Sequence, residues 1–173
     1  MTRPDIAAAI YDSHERAEGA VRKLGQAGFD LKSISIVGKD YHSEEHVVGY
    51  FNVGDRARFF GKLGAFWGGL AGILFGSALM FVPVVGHIII LGPLAAAVVS
   101  GLEGAVVAGG LSALVGALTG MGIPKDSVLR YETALKADKF LVVVTGSAAD
   151  IRRAHEVLSA AGSTDVQDHL VTA

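Results

Sequence analysis

Few residues in this sequence have the type and spacing that chemistry needs. His42 and His46 stand four apart, so a helix would place both imidazoles on one face. That spacing serves zinc hydrolases when a glutamate directly follows the first histidine, and here Ser43 follows. The run from Gly38 to Asp55 is polar and rich in turn residues, so a solvated loop is expected and the two histidines are weak metal candidates. Glu103 is the one carboxylate between Phe59 and Gly122, where the other routinely ionisable residues are Lys62 and His87. A carboxyl in so apolar a run either takes up a proton or cation inside an assembly, or stays protonated and hydrogen-bonds across helices, to Ser77 or Ser100. His87 can titrate near neutral pH or act as a structural hydrogen-bond partner. No nucleophile, base and acid stand together, and no strand is followed by a phosphate-binding glycine loop ending in Gly-Lys-Ser/Thr. The absence of cysteine excludes disulfides, thiolate catalysis and cysteine-ligated metals. The expectation is a non-enzymatic protein with no cofactor and no resident metal.

The elements that would hold these groups are dominated by the apolar stretch. Leu63 to Val82, extended backwards to Ala57, and Leu94 to Gly122 are each long enough to cross a bilayer core, which takes about 20 apolar residues. Between them Pro83 and Pro93 bracket a short connector that carries His87. The sequence therefore predicts a helical hairpin over residues 56–122. Gly64, Gly68, Gly72 and Gly76 recur every four residues in its first arm. Gly104, Ala108, Ser112, Gly116 and Gly120 do so in its second. Small residues on one helical face let backbones approach closely, which favours helix association in lipid. Arg56, Arg58 and Lys62 precede the hairpin and Lys125 follows it, while the connector has neither Lys nor Arg. By the positive-inside rule both ends lie on the cytoplasmic side of an inner membrane.

The flanks read as alternating strands and helices. Ile6 to Tyr11 is a short buried strand, and Asp12 with Glu15 opens a helix with Ala17, Ala20, Val21, Leu24 and Ala27 as its apolar stripe. Gly28 supplies the stop, and Leu31 to Val37 is a second strand, which suits a parallel pair with the first. Beyond the hairpin, Pro124 opens a helix through Val128, Tyr131, Glu132 and Leu135. Phe140 to Thr145 is the strongest strand of the chain. Ser147 and Asp150 start a last helix, with Ile151, Ala154, Val157, Leu158 and Ala161 as its stripe. Gly162 ends it, and Asp165 to Val171 closes as a weaker alternating strand. Strand-helix-strand on both sides of the insert predicts an α+β chain: a ferredoxin-like βαββαβ soluble domain built from residues 1–55 and 123–173, with the Gly-rich hairpin inserted. Helices are expected on one face of its sheet, and the other face is left exposed or used for self-association.

With 51% hydrophobic residues and a net charge of -2, the chain has no broad basic field for nucleic acid. Ile34 to Lys39, Phe66-Trp67-Gly68-Gly69, Gly122 to Lys125, and Tyr131-Glu132 followed by Phe140 to Val143 resemble signatures of an uncharacterised bacterial family of predicted membrane proteins. The flanks also resemble the heat-induced general stress protein domain. The resemblance implies a stress-linked bacterial protein without an established catalytic site, and it carries over no functional residues. Four functions compete. The first is a membrane-anchored homo-oligomer. The second is a cytoplasmic particle with its hairpins buried inside, with or without lipid. The third is an ion- or proton-conducting assembly that uses Glu103, and the fourth a sensor for an unknown small molecule.

Overall fold

The architecture is that of a computed structural model, and the residues described are 3–39, 79–82, 88–94 and 111–171. It is an α+β fold around an antiparallel sheet. β1 (Asp5–Tyr11) leads to helix α1 (His14–Gln26), then a single 3-10 turn (Leu31–Ser33) and β2 (Ile34–Lys39). β3 (Leu79–Val82) and β4 (Ile88–Leu91) follow, then α2 (Leu111–Gly120) and α3 (Lys125–Lys136). β5 (Phe140–Gly146), α4 (Ala148–Ala160) and β6 (Asp165–His169) complete the chain. The strand order is β3-β4-β2-β5-β1-β6, and every pairing is antiparallel.

Local chemistry accounts for most element ends. Ser147 and Asp150 form a full capping box at α4. At α1 the cap is Ser13, which accepts from the Arg16 amide, one residue later than the expected Asp12. Pro124 sits at the cap of α3 rather than inside its first turn. Gly28 and Gly162 take positive φ after their helices, as expected of glycine stops.

The sheet is buried on both faces. On one, Ala7, Ala9, Tyr11, Ile34, Ile36, Val142 and Val144 pack under α1 and α4 through Ala17, Val21, Leu24, Ile151, Ala154 and Leu158. On the other, Ile6, Ala8, Ile10, Val37, Leu141 and Val143 meet Leu114 and Leu118 of α2 and Val128, Tyr131 and Leu135 of α3. The expectation of helices on one face only is thereby corrected. An apolar sheet face this large has to be covered, and α2 with α3 supplies about 2–5 kcal/mol for each large side chain whose truncation would leave a cavity. β1 and β2 point the same way but do not touch, since β5 lies between them and pairs with both. The expected parallel pair is therefore split by an antiparallel strand.

The largest departure lies in the apolar stretch. Leu79–Val82, expected at the end of a long helix, is a strand. Ile88–Leu91, expected in the hairpin's connector, pairs with β2 from Ile36↔Leu91 to Lys39↔Ile88. The reason is physical: the edge of β2 offers backbone groups that need partners, and Ile88-Ile89-Ile90 is β-branched throughout. Of the second expected span, the described helix is α2, whose ten residues reach about 15 Å, half of a bilayer core. Among the described residues no helix is long and apolar enough to cross a membrane.

A tight corner joins β4 to the core. Gly92 has φ +104, and a Cβ there would meet the Ser35 Cα at 2.7 Å. Beside it the buried Ser35 hydroxyl accepts from the Leu94 amide at 3.0 Å. Gly92→Ala is expected to destabilise the fold by at least about 2 kcal/mol, because strain and overlap add. Chemical denaturation read by circular dichroism checks this, and an unchanged midpoint would mean that the corner is not built this way. Tyr11→Phe should cost about 1 kcal/mol in the same assay, since its buried hydroxyl donates to the Leu158 carbonyl at 2.8 Å.

Candidate functional site

The densest group of titratable and polar side chains among the described residues lies on the seam between α3 and β6. β6 alternates, as a strand must, so Asp165, Gln167 and His169 share one face and Val166 and Asp168 the other. The first face meets α3. Arg130 pairs with Asp165 at 3.1 Å, the Ser127 hydroxyl donates to Gln167 Oε1 at 3.0 Å, and Tyr131 Oη lies 2.7 Å from His169 Nε2. Residues 127, 130 and 131 fall on one side of a helix, which is how three contacts can reach one strand. On the second face Asp168 meets His155 of α4 at 2.9 Å.

Electrostatics assigns the roles. Tyr131 is 1% exposed, and burial pushes its phenol well above the usual range. The carboxylates of Asp165 and Asp168 push the same way, and Arg130 opposes them. The phenol therefore stays protonated and donates to a neutral imidazole. Burial holds His169 below its ordinary value, with Asp168 acting in the opposite sense. A protonated phenol against a neutral histidine is a latch between helix and strand. Among the described residues Arg130 alone lowers the phenol's pKa, and burial outweighs it, so the group is held as a hydrogen-bond donor rather than an activated nucleophile.

Few of the residues expected to matter fall on this seam. Gly116 and Gly120 lie on α2, where an added Cβ would meet nothing within 4 Å among the described residues, while Leu114 and Leu118 point into the core. Their small-residue face is thus turned away from the sheet. Ser112 lies on the same helix. Gly64, Gly68, Gly72, Gly76, Gly104 and Ala108 lie outside the described residues, as do Glu103, His87, His42 and His46. Among the described residues no three His, Asp or Glu side chains gather in a metal-binding group. Tyr131 belonged to the motif noted in the sequence, but His169 carried no signal beyond the alternation of β6. Which helix covers that strand is a tertiary fact.

A model of the heat induced stress protein YflT domain matches residues 7–80, from β1 to β3. This part of the chain, less than half of it, is similar to that domain. Tyr131-Glu132 and the Phe140 strand, which also carried the resemblance, fall outside the match. No curated protein and no solved structure matches the chain.

The latch sets a pH dependence. A histidine whose folded pKa lies below its unfolded value gives stability that is complete above the unfolded value, about 6.5, and is lost as the pH falls toward the folded one. Denaturation midpoints are expected to fall from about pH 6.5 downwards. His169→Gln, which can still accept from Tyr131 but does not titrate, should flatten that part of the profile. Identical profiles for the two proteins would show that the latch does not resist protonation.

Proposed function

We propose that this protein is a non-enzymatic, self-associating, stress-linked protein. Residues 1–55 and 123–173 supply a ferredoxin-like core, and the Gly-rich stretch 56–122, which adds β3, β4 and α2 to it, also joins copies together at a lipid surface. The central strand order β2-β5-β1-β6, antiparallel throughout, supports the ferredoxin-like reading. The similarity of residues 7–80 to a heat induced stress protein domain supports the stress link.

The observation that carries the self-association reading is the orientation of α2. Its leucines hold it to the sheet, while Gly116 and Gly120 face open space among the described residues. Glycine inside a helix costs about 0.5–1 kcal/mol relative to alanine. Two glycines on one open face, continuing the four-residue series from Gly104, suit the close approach of another helix. The partner is a second copy of the chain. The arginines at 56 and 58, with Lys62 and Lys125, favour the cytoplasmic side of a bacterial inner membrane by the positive-inside rule.

Gly116→Leu tests the reading, because among the described residues a Cβ added at 116 would meet nothing within 4 Å. The variant should keep its circular dichroism and thermal midpoint while its mass, by light scattering in detergent, falls toward one chain. An unchanged mass would remove α2 from the contact. Fractionation without detergent separates the two settings. Recovery with lipid supports the membrane surface, and a uniform, lipid-free soluble oligomer overturns it in favour of a cytoplasmic particle.

A further inference from the structure

β6 ends the sheet, and among the described residues nothing pairs with its outer edge. An unpaired strand edge presents a row of N–H and C=O groups to any strand that fits it. Natural edges are usually blunted by a bulge, a fray or an uncompensated charge. Here both ends of the strand are pinned instead. The Thr164 amide and hydroxyl both donate to the Ile10 carbonyl, at 2.8 and 3.0 Å, and the Val171 amide donates to Asp5 Oδ1 at 2.6 Å. Both carboxylates of the strand also have partners within the chain, Asp165 with Arg130 and Asp168 with His155. Both ends of the edge strand are therefore tied to β1, and its charges are already engaged.

We propose that the outer edge of β6 pairs antiparallel with β6 of a second copy of this chain, about a two-fold axis through Gln167. The register follows from the strand itself. A two-fold axis perpendicular to the sheet keeps each face continuous, so opposed residues must share a face. The register centred on Gln167 meets that condition and opposes all residues from Asp165 to His169. It sets Asp165 against the partner's His169 and Val166 against the partner's Asp168. Centring on Asp168 or on Asp165 would instead stack a carboxylate on its own copy, and like charges directly opposite are unfavourable. In the Gln167 register the exposed Leu170 and Val171, at 52% and 44%, lie beyond the strand opposite the partner's Thr164 and Ser163. The result is a sheet continuous across two copies. The contact needs the homo-oligomer proposed above but not its α2 face.

The chain has no cysteine, so Gln167→Cys creates a single thiol that lies on the axis. Residues directly opposite in an antiparallel pair are about 4.5–5.5 Å apart at Cα, within the range a disulfide spans. Mild oxidation of the full chain should convert most of Gln167→Cys to a linked dimer. Leu129→Cys, an exposed position on the outside of α3, should remain unlinked. Gln167→Lys should weaken the dimer about three- to fivefold by placing two ammonium groups face to face. Equal linking at both positions, or none at Gln167→Cys in a protein that circular dichroism shows to be folded, overturns the proposal. The oxidation is repeated with Gly116→Leu added. Linking at position 167 that survives there supports the β6 contact even if the α2 reading fails. A multi-copy particle without such linking overturns the β6 contact and leaves α2 standing.

Discussion

A strand that is buried on both faces has no side on which to put a charge, and β5 is such a strand. Phe140 to Val144 are all buried, with Val142 and Val144 under α1 and α4 and Leu141 and Val143 under α2 and α3. β5 pairs with β1 on one side and β2 on the other, which forces those two strands apart and into the same direction. Each helix then has its place: α1 must cross β5 to join its strands, and α4 must return beside α1 to bring β6 to the free side of β1. The small residues of β1, Ala7, Ala8 and Ala9, let helices close on both faces at that line.

That constraint explains which parts of the fold were legible in the sequence. Phe-Leu-Val-Val-Val-Thr is strand in any setting, and the capping box at Ser147 and the stripes of α1 and α4 are local signals whose local meaning is also their global one. The apolar stretch has no such signal. Leu79–Val82 and Ile88–Leu91 are apolar at every position, and a short run of that kind reads equally as buried helix or buried strand. What decides is the open edge of β2, which appears only once the sheet has been assembled. The Ser35 hydroxyl on the Leu94 amide and the corner at Gly92 fix the outcome, and neither can be seen from a hydropathy pattern.

The candidate site was legible only in pieces. Tyr131 stood out as part of a motif and as an apolar position of α3, and β6 stood out as an alternating strand. Their meeting, with an imidazole against a buried phenol, depends on α3 lying along an edge strand from a distant part of the chain. Gly116 and Gly120 were legible as a periodic series, but the series does not say which way it faces. The inward leucines of α2 settle that direction: a helix held by Leu114 and Leu118 must present the rest of its circumference elsewhere.

The two surfaces differ in what they can build. A β6 contact about a two-fold axis is isologous and closes at two copies, because both copies use the same edge. A helix face such as that of α2 need not close in the same way. If it too is isologous, its axis differs from that of β6, and two distinct two-fold contacts on one chain join dimers into a larger array or a closed ring. The sheet edge then supplies direction through hydrogen bonds and register, whereas the glycine face supplies close packing with little register of its own. A protein built this way would be set in its dimer by β6 and extended through α2. The core under β5 would be unchanged at either stage, since neither surface draws on the side chains that hold it together.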